Sequence, residues 1–215
     1  MKVAGLLLAG GQSRRMGGGD KALRLLAGRS LLAHVVDRLR PQVATLVLNA
    51  NGDPARFAGF GLPVLADGVP DFAGPLAGIL AGLDWAARHR PDLSHIASVA
   101  TDAPFLPRDL VARLAAGLEA ANADLACAAS GGRAHPVFGL WPVRLREDLR
   151  AALCGEGVRK VDRWTSRYRV ATVPFSDQPI DPFFNANRPE DLEAAAALIA
   201  VADRAADAIG GVSAA

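Results

Sequence analysis

Short apolar runs alternate along this chain with stretches whose apolar positions recur every three or four residues. Val3 to Leu8 contains only apolar residues and glycine, the pattern of a strand covered on both faces. Beyond a glycine-rich stretch, Ser30 stands as an N-cap before Leu31, Leu32, Val35, Val36 and Leu39, which fall on one helical face, and Pro41 stops that helix. Ala44 to Asn49 and Leu62 to Asp67 read as the next two strands. Pro75 to Arg90 reads as a helix, with Leu76, Ile79, Leu80 and Leu83 at core spacing and Pro91 behind it. His95 to Asp102 predicts a fourth strand, broken off by Pro104 and Pro107. A helix over 108–121, strands over 124–129 and 133–141, a helix over 144–153 and a short strand over 170–173 follow. Asn187, with Pro189 and Glu190 behind it, opens a last helix that runs past Ile199.

Strands alternating with helices predict an α/β fold: a three-layer, Rossmann-like, open and mostly parallel sheet with helices on both faces. The 215 residues, half of them hydrophobic, suffice for one such domain with a full core. With neither repeat nor linker, residues 1–204 are expected to form a single domain, and 205–215, rich in alanine, a frayed tail. A formal charge of +2 does not call for nucleic acid. Cys127 and Cys154 are isolated, without metal-ligand spacing, and are expected as buried free thiols in a reducing compartment. No basic-then-apolar leader opens the chain and no apolar run is long enough to cross a bilayer, so a cytoplasmic protein without a membrane partner is expected.

The chemistry concentrates behind the first strand. Between Gly10 and Lys21 the chain carries glycines at 10, 11, 17, 18 and 19, cations at Arg14, Arg15 and Lys21, and one large apolar residue, Met16. Glycines let a chain turn tightly and bring backbone N–H groups against a bulky anion. Arginine then grips phosphate by a bidentate fork and lysine as a point charge. The stretch is not a Walker A loop, because Ala22 follows Lys21 where a hydroxyl residue is needed, and it lacks the Rossmann Gly-x-Gly-x-x-Gly. In open α/β sheets ligands sit beyond the carboxyl ends of the strands. Gly10, Gly11, Asn49, Asp67 and Asp102 all fall at such ends. Asp102, a hard carboxylate opposite a loop of cations, is the candidate ligand for Mg²⁺ bridged by phosphate oxygens.

The stretch Leu-Ala-Gly-Gly-x-Ser-x-Arg-Met-Gly-x-x-Asp-Lys, from Leu8 to Lys21, resembles the signature of the nucleotidyltransferases that activate sugars and cofactors. It is most similar to the molybdenum cofactor guanylyltransferases, and the resemblance extends over roughly residues 1 to 200. It implies a nucleotide-diphospho-sugar transferase-like fold with a nucleotide-binding N-terminal half and an acceptor-binding C-terminal half. It further implies that Leu8, Ala9, Gly10 and Gly11 meet the base, that Asn49 and Asp67 contact the nucleotide, that Lys21 lies on the phosphates and that Asp102 binds the magnesium. Gly74 and Gly78, in Gly-Pro-Leu-Ala-Gly, match a second glycine motif that brings a helix start close to the ligand. A glycine pair at 10 and 11 goes with guanine, where the cytidylyltransferase branch tends to carry alanine. Asn185 and Asn187, in Phe-Asn-Ala-Asn-Arg-Pro, match the family's segment near the pterin. Arg159 and Lys160 lie where a basic pair meets the acceptor phosphate, with lysine in a position that is usually arginine.

Arg159 to Arg169 also interleaves five basic residues with Trp164 and Tyr168. Rings between cations hold single-stranded nucleic acid in some proteins; a solvated helix face with one buried ring, or a patch for an anionic pterin tail, fits the same residues, and nucleic acid ranks last. His135, in an Arg-x-His-Pro-Val segment, reads as hydrogen-bonded framework. The reaction the resemblance implies is transfer of GMP from GTP to the terminal phosphate of molybdopterin, with Arg15, Lys21 and Mg²⁺ on Asp102 facing the developing charge. The rivals are a molybdopterin cytidylyltransferase, a sugar-1-phosphate nucleotidyltransferase and a non-catalytic chaperone that delivers the cofactor. Other cofactor-biosynthesis proteins and apo-molybdoenzymes are the expected partners of a monomer.

Overall fold

A computed structural model describes residues 1–9, 20–69, 74–186 and 190–197. In chain order the elements are β1 (Val3–Leu8), a hairpin of β2 (Leu25–Leu26) and β3 (Arg29–Ser30), α1 (Leu31–Leu39), β4 (Thr45–Asn49), β5 (Val64–Leu65) and α2 (Pro75–His89). Then come β6 (His95–Ala100), α3 (Leu110–Ala120), β7 (Leu125–Ser130), β8 (Arg133–Pro142), α4 (Arg146–Cys154), α5 (Val161–Thr165) and β9 (Val170–Pro174). Residues 190–197 are helical.

Seven strands form one sheet in the order β5-β4-β1-β6-β8-β7-β9. β1 lies between β4 and β6 and is parallel to both, while β8 runs antiparallel to β6 and β7. The strand period of two divides the core between the sheet's faces. Val3 and Leu7 pack with α1 and α3 through Leu32, Val35, Leu39, Leu110 and Leu114. Ala4 and Leu6 pack on the other face with α2, α4 and α5 through Ile79, Leu83, Leu149 and Trp164. The result is the expected three-layer α/β arrangement. Gly5 points toward the α1 face, where a Cβ would lie 2.5 Å from a Leu46 methyl and 2.9 Å from a Leu39 methyl, so both leucines would have to shift for any larger residue.

Helix ends follow the sequence signals. Ser30 Oγ accepts from Ala33 N–H at 3.2 Å and caps α1. Pro75 opens α2 behind Gly74, whose φ of 151° no side-chain-bearing residue adopts readily. The strand expected over Leu62–Asp67 shrinks to Val64–Leu65 at the sheet edge, since Pro63 has no N–H to donate and offers only its carbonyl, to Leu48. The helical residues near the C-terminus pack Leu192 and Ala195 against Leu26 and Leu31. Cys127 is buried in β7. Cys154, expected buried, is exposed at the end of α4, because that helix turns Leu149, Ala152 and Leu153 inward instead.

Candidate active site

The parallel strands β4, β1 and β6 end side by side. Ala9 N–H donates to the Asn49 carbonyl at 2.9 Å, and Thr101 donates to the Leu8 carbonyl with both its N–H and its hydroxyl, each at 3.3 Å. These bonds carry the sheet one residue past its last full rung. Asn49 is only 4% exposed, and its Nδ2 donates to the Leu65 carbonyl at 3.1 Å and to Asp67 Oδ1 at 2.9 Å. Asn51 donates to the other Asp67 oxygen at 2.7 Å and accepts from Asp67 N–H at 2.9 Å. Asn49, Asn51 and Asp67 are therefore one bonded unit, a preformed polar floor.

Helix α2 closes over that floor. A Cβ on Gly78 would collide with Asn49 Oδ1 and lie 2.6 Å from a Leu8 methyl. What the small residue admits is thus the Asn49 carboxamide, rather than a ligand directly. Gly74, at the helix entrance, would place a Cβ 3.7 Å from the Arg159 carbonyl, so the Arg159–Lys160 pair borders the same end of α2. Both of those basic residues are exposed.

Across the floor, Lys21 Nζ forms an ion pair with Asp102 Oδ2, with the two side chains 17% and 18% exposed. Asp20 prepares this placement. Its Oδ1 accepts from Ala22 N–H at 3.3 Å and its Oδ2 pairs with Arg56 Nε at 2.8 Å, which anchors the short helical turn that Lys21 begins. Arg56 also donates to the Asn51 carbonyl at 2.5 Å, tying the turn to the polar floor. The remaining Asp102 oxygen, Oδ1, is buried and has no hydrogen-bond partner among the described residues. A buried carboxylate oxygen left so costs about 1–3 kcal/mol, so an orphan here marks a place for a cation or donor. No cluster of three metal-ligating side chains occurs among the described residues. Asp102 would be the residue to hold a divalent ion here, and Mg²⁺ at phosphoryl-transfer sites is commonly held by one or two carboxylates together with phosphate oxygens and water. Ala186 N–H donates to the Asp102 backbone carbonyl at 3.0 Å, which ties the segment that carries the exposed Asn185 to the end of β6.

Comparison with known proteins bears directly on this arrangement. The family described as MobA-like NTP transferase domain matches residues 5–172. The molybdenum cofactor guanylyltransferase of Bradyrhizobium sp. (strain ORS 278) is 67% identical over 94% of this chain and 95% of its own. The chain belongs to the molybdenum cofactor guanylyltransferase family. A second member, from Rhodopseudomonas palustris (strain BisB5), is 64% identical over 87% of this chain and 89% of its own. Among solved structures, molybdopterin-guanine dinucleotide biosynthesis protein A from Archaeoglobus fulgidus superposes with a TM-score of 0.70 at 25% identity, covering 93% of this chain and 99% of that one.

Of the residues that the guanylyltransferase signature singled out, the structure gathers Leu8, Ala9, Asn49, Asp67, Gly78, Lys21 and Asp102 at one end of the sheet, with Gly74, Arg159, Lys160 and Asn185 around it. Gly10, Gly11, Arg14, Arg15 and Asn187 lie outside the described residues. Sequence reasoning missed Asn51, Arg56, Thr101 and the capping role of Asp20. Asn51 alone had a legible signal, an asparagine two residues past Asn49, where a strand running straight on returns side chains to one face. The basic-aromatic segment is not a stacking platform. Trp164 is fully buried and donates to Asp148 Oδ2 at 2.9 Å, and the Tyr168 hydroxyl donates to the same carboxylate. That bond to Asp148, after burial, holds the Tyr168 pKa above its ordinary value. His135 is framework: its Nε2 lies 2.7 Å from Ser130 Oγ, which donates to Asp181 at 2.8 Å, and its ring packs on Phe183. Burial lowers its pKa, and Asp181 only partly opposes this.

Proposed function

We propose that this chain transfers GMP from GTP to the terminal phosphate of molybdopterin, releasing pyrophosphate and forming the guanine dinucleotide cofactor. The observation that carries the reading is the largely buried Lys21–Asp102 pair with its orphaned carboxylate oxygen, at the strand ends that also carry the Asn49–Asp67 floor. The names borne by the family's members support guanine and molybdopterin as the two substrates, and the resemblance associates a glycine pair at 10 and 11 with guanine.

An oxygen of the acceptor phosphate bonds to the α-phosphorus of GTP, the α–β bridge breaks, and its electron pair leaves on pyrophosphate. The nucleophile is already an anion, so no side-chain base is needed, and the site offers no nucleophile–base pair among its described residues. Positioning and charge neutralisation supply the catalysis. The Asn49–Asn51–Asp67 unit receives the nucleoside without reorganising. Lys21, anchored by Asp20, presents its ammonium to the phosphates, and Arg15 adds a guanidinium from the glycine stretch. Arg159 and Lys160 hold the acceptor phosphate at the mouth of α2, and Asn185 and Asn187 hold the pterin. Asp102 Oδ1 would hold Mg²⁺, which when bound neutralises phosphate charge and sharpens the α-phosphorus as an electrophile.

We assign both halves of this work to one domain, residues 1–204, acting as a monomer in the cytoplasm with cofactor-biosynthesis proteins and apo-molybdoenzymes as partners. No helix among the described residues is long and apolar enough to cross a membrane. A thermal-shift series against GTP, CTP, ATP and UTP with Mg²⁺ tests the nucleotide, since selective binding stabilises the native state by mass action. GTP should give the largest shift; a larger one with CTP would move the assignment to the cytidylyltransferase branch.

A further inference from the structure

A second concave site lies on the α1 side of the sheet. It is a cavity of about 450 Å³ between the β2–β3 hairpin, α1, the loop that follows Asp102 and residues 179–180, and its walls include Arg29, His34, Arg38, Phe105, Arg108 and Ile180. None of the residues assigned above to nucleotide or acceptor lines it. Its size suits a small-molecule ligand rather than a few waters.

Its charge is unbalanced. Arg29 is paired with Asp37, the one acid in the lining, at 2.5 Å. Arg38 donates to the Leu106 carbonyl at 3.2 Å and has no acid partner among the described residues. Arg108 is exposed and has none either. The two guanidinium groups feel each other: burial first, then repulsion from Arg108, lowers the pKa of Arg38. Two arginines around one concavity, one half-buried and one exposed and neither with an acid partner among the described residues, are what bidentate recognition of a phosphate requires. His34 commits its Nε2–H to the Leu26 carbonyl at 2.9 Å, which fixes the ring on the wall. Phe105 and Ile180 supply an apolar side opposite the cations.

We propose that this cavity is a second anion site, separate from the nucleotide crevice, which takes a phosphate-bearing small molecule on Arg38 and Arg108 and lays the molecule's apolar part against Phe105. The site borders the segment assigned to the acceptor, because the Phe105 ring packs against Phe184 with centroids 6.4 Å apart, one residue before Asn185. One chemistry, a phosphate with at least two negative charges, covers three sources: inorganic phosphate, pyrophosphate released by the reaction, and an aryl phosphate monoester.

The test is isothermal titration of the full chain, without Mg²⁺ or GTP, with inorganic phosphate, pyrophosphate and phenyl phosphate in turn. Wild-type protein should bind at least one of them with sub-millimolar affinity, and the tightest of the three identifies the source. Arg108→Glu should weaken that binding by about tenfold or more, the loss expected when a charge-assisted bond is replaced by repulsion. The same substitution gives Arg38 an acid partner, so the unliganded melting temperature should hold or rise, which separates lost binding from lost folding. Lys21→Ala should leave this binding in place while lowering turnover by about 10²–10³. Unchanged binding in Arg108→Glu, or binding lost in Lys21→Ala instead, would place the anion in the crevice and overturn the proposal, as would no binding of any of the three in wild type. None of these results depends on whether GTP is the nucleotide.

Discussion

Replacing Gly78 by alanine sets two effects of opposite sign against each other. In an exposed helix the change would stabilise by about 1 kcal/mol, since glycine is the poorest helix former after proline. Here the new methyl would collide with Asn49 Oδ1 and lie 2.6 Å from a Leu8 methyl. Asn49 has little freedom to move, because it is 4% exposed and its Nδ2 is committed to Leu65 and Asp67. Either α2 lifts off the sheet, at about 1–3 kcal/mol for overpacking, or the carboxamide turns and forfeits two hydrogen bonds of about 1 kcal/mol each. The net expectation is a loss of about 1 kcal/mol, or a melting temperature lower by about 2–4 °C for a chain of this size. The Asn49–Asp67 floor is disturbed on either route, so KM for GTP should rise as well. Thermal melting and steady-state kinetics of Gly78→Ala read both. Gly59→Ala is the control, since its Cβ would meet nothing within 4 Å, and it should stay within about 0.5 kcal/mol of wild type. A Gly78→Ala protein as stable as wild type with unchanged KM would refute the steric argument.

Other perturbations test other parts of the structure. Lys21→Ala removes the ammonium proposed to meet the phosphates and should lower turnover by about 10²–10³ in a pyrophosphate-release assay, with far-ultraviolet circular dichroism unchanged. His95 is held to a pKa of about 4, first by burial and then by Arg144 and the N-terminus, against about 6.5 when unfolded. The unfolded chain therefore binds the extra proton between those values, and stability falls as pH drops from about 6.5 toward 4. Because the ring is partly exposed and solvent screens it, the loss at pH 5 is at most about 2 kcal/mol, and His95→Gln should flatten this part of a denaturation-versus-pH curve. Asp148→Ala strands the buried Trp164 N–H and releases the Tyr168 hydroxyl. It should cost about 1–3 kcal/mol in urea denaturation and return the Tyr168 titration toward its ordinary range.

Most of the framework was legible because its signals are local. Ser30 caps α1 as its hydroxyl and the following apolar face require, β1 spans the very run from Val3 to Leu8, and Asp102 falls just past β6 where Pro104 breaks the chain. Strand-end logic placed Asn49, Asp67 and Asp102 together without knowledge of strand order. What escaped depends on contacts distant in sequence. That Arg56 reaches back to Asp20, or that Gly78 clears space for Asn49, follows only once α2 lies across the strand ends. The β2–β3 hairpin is too short to show an alternation. Trp164 and Tyr168 carried the same letters whether they faced solvent or Asp148, and only the packing of α5 against the sheet decides between those. The cavity around Arg38 and Arg108 joins residues seventy positions apart, and nothing in either segment announces it.

The central claim is that Asp102 works through a divalent cation on GTP, opposite Lys21. Its most direct measurement is the rate of pyrophosphate release from GTP in the presence of molybdopterin, titrated with Mg²⁺, for wild type and Asp102→Asn. That substitution keeps the side chain's shape and removes only its charge. Wild type should show saturable dependence on Mg²⁺, whereas Asp102→Asn should fall by about 10² or more and fail to recover at high Mg²⁺. A variant that turns over at the wild-type rate with the same Mg²⁺ dependence would contradict the assignment of Asp102.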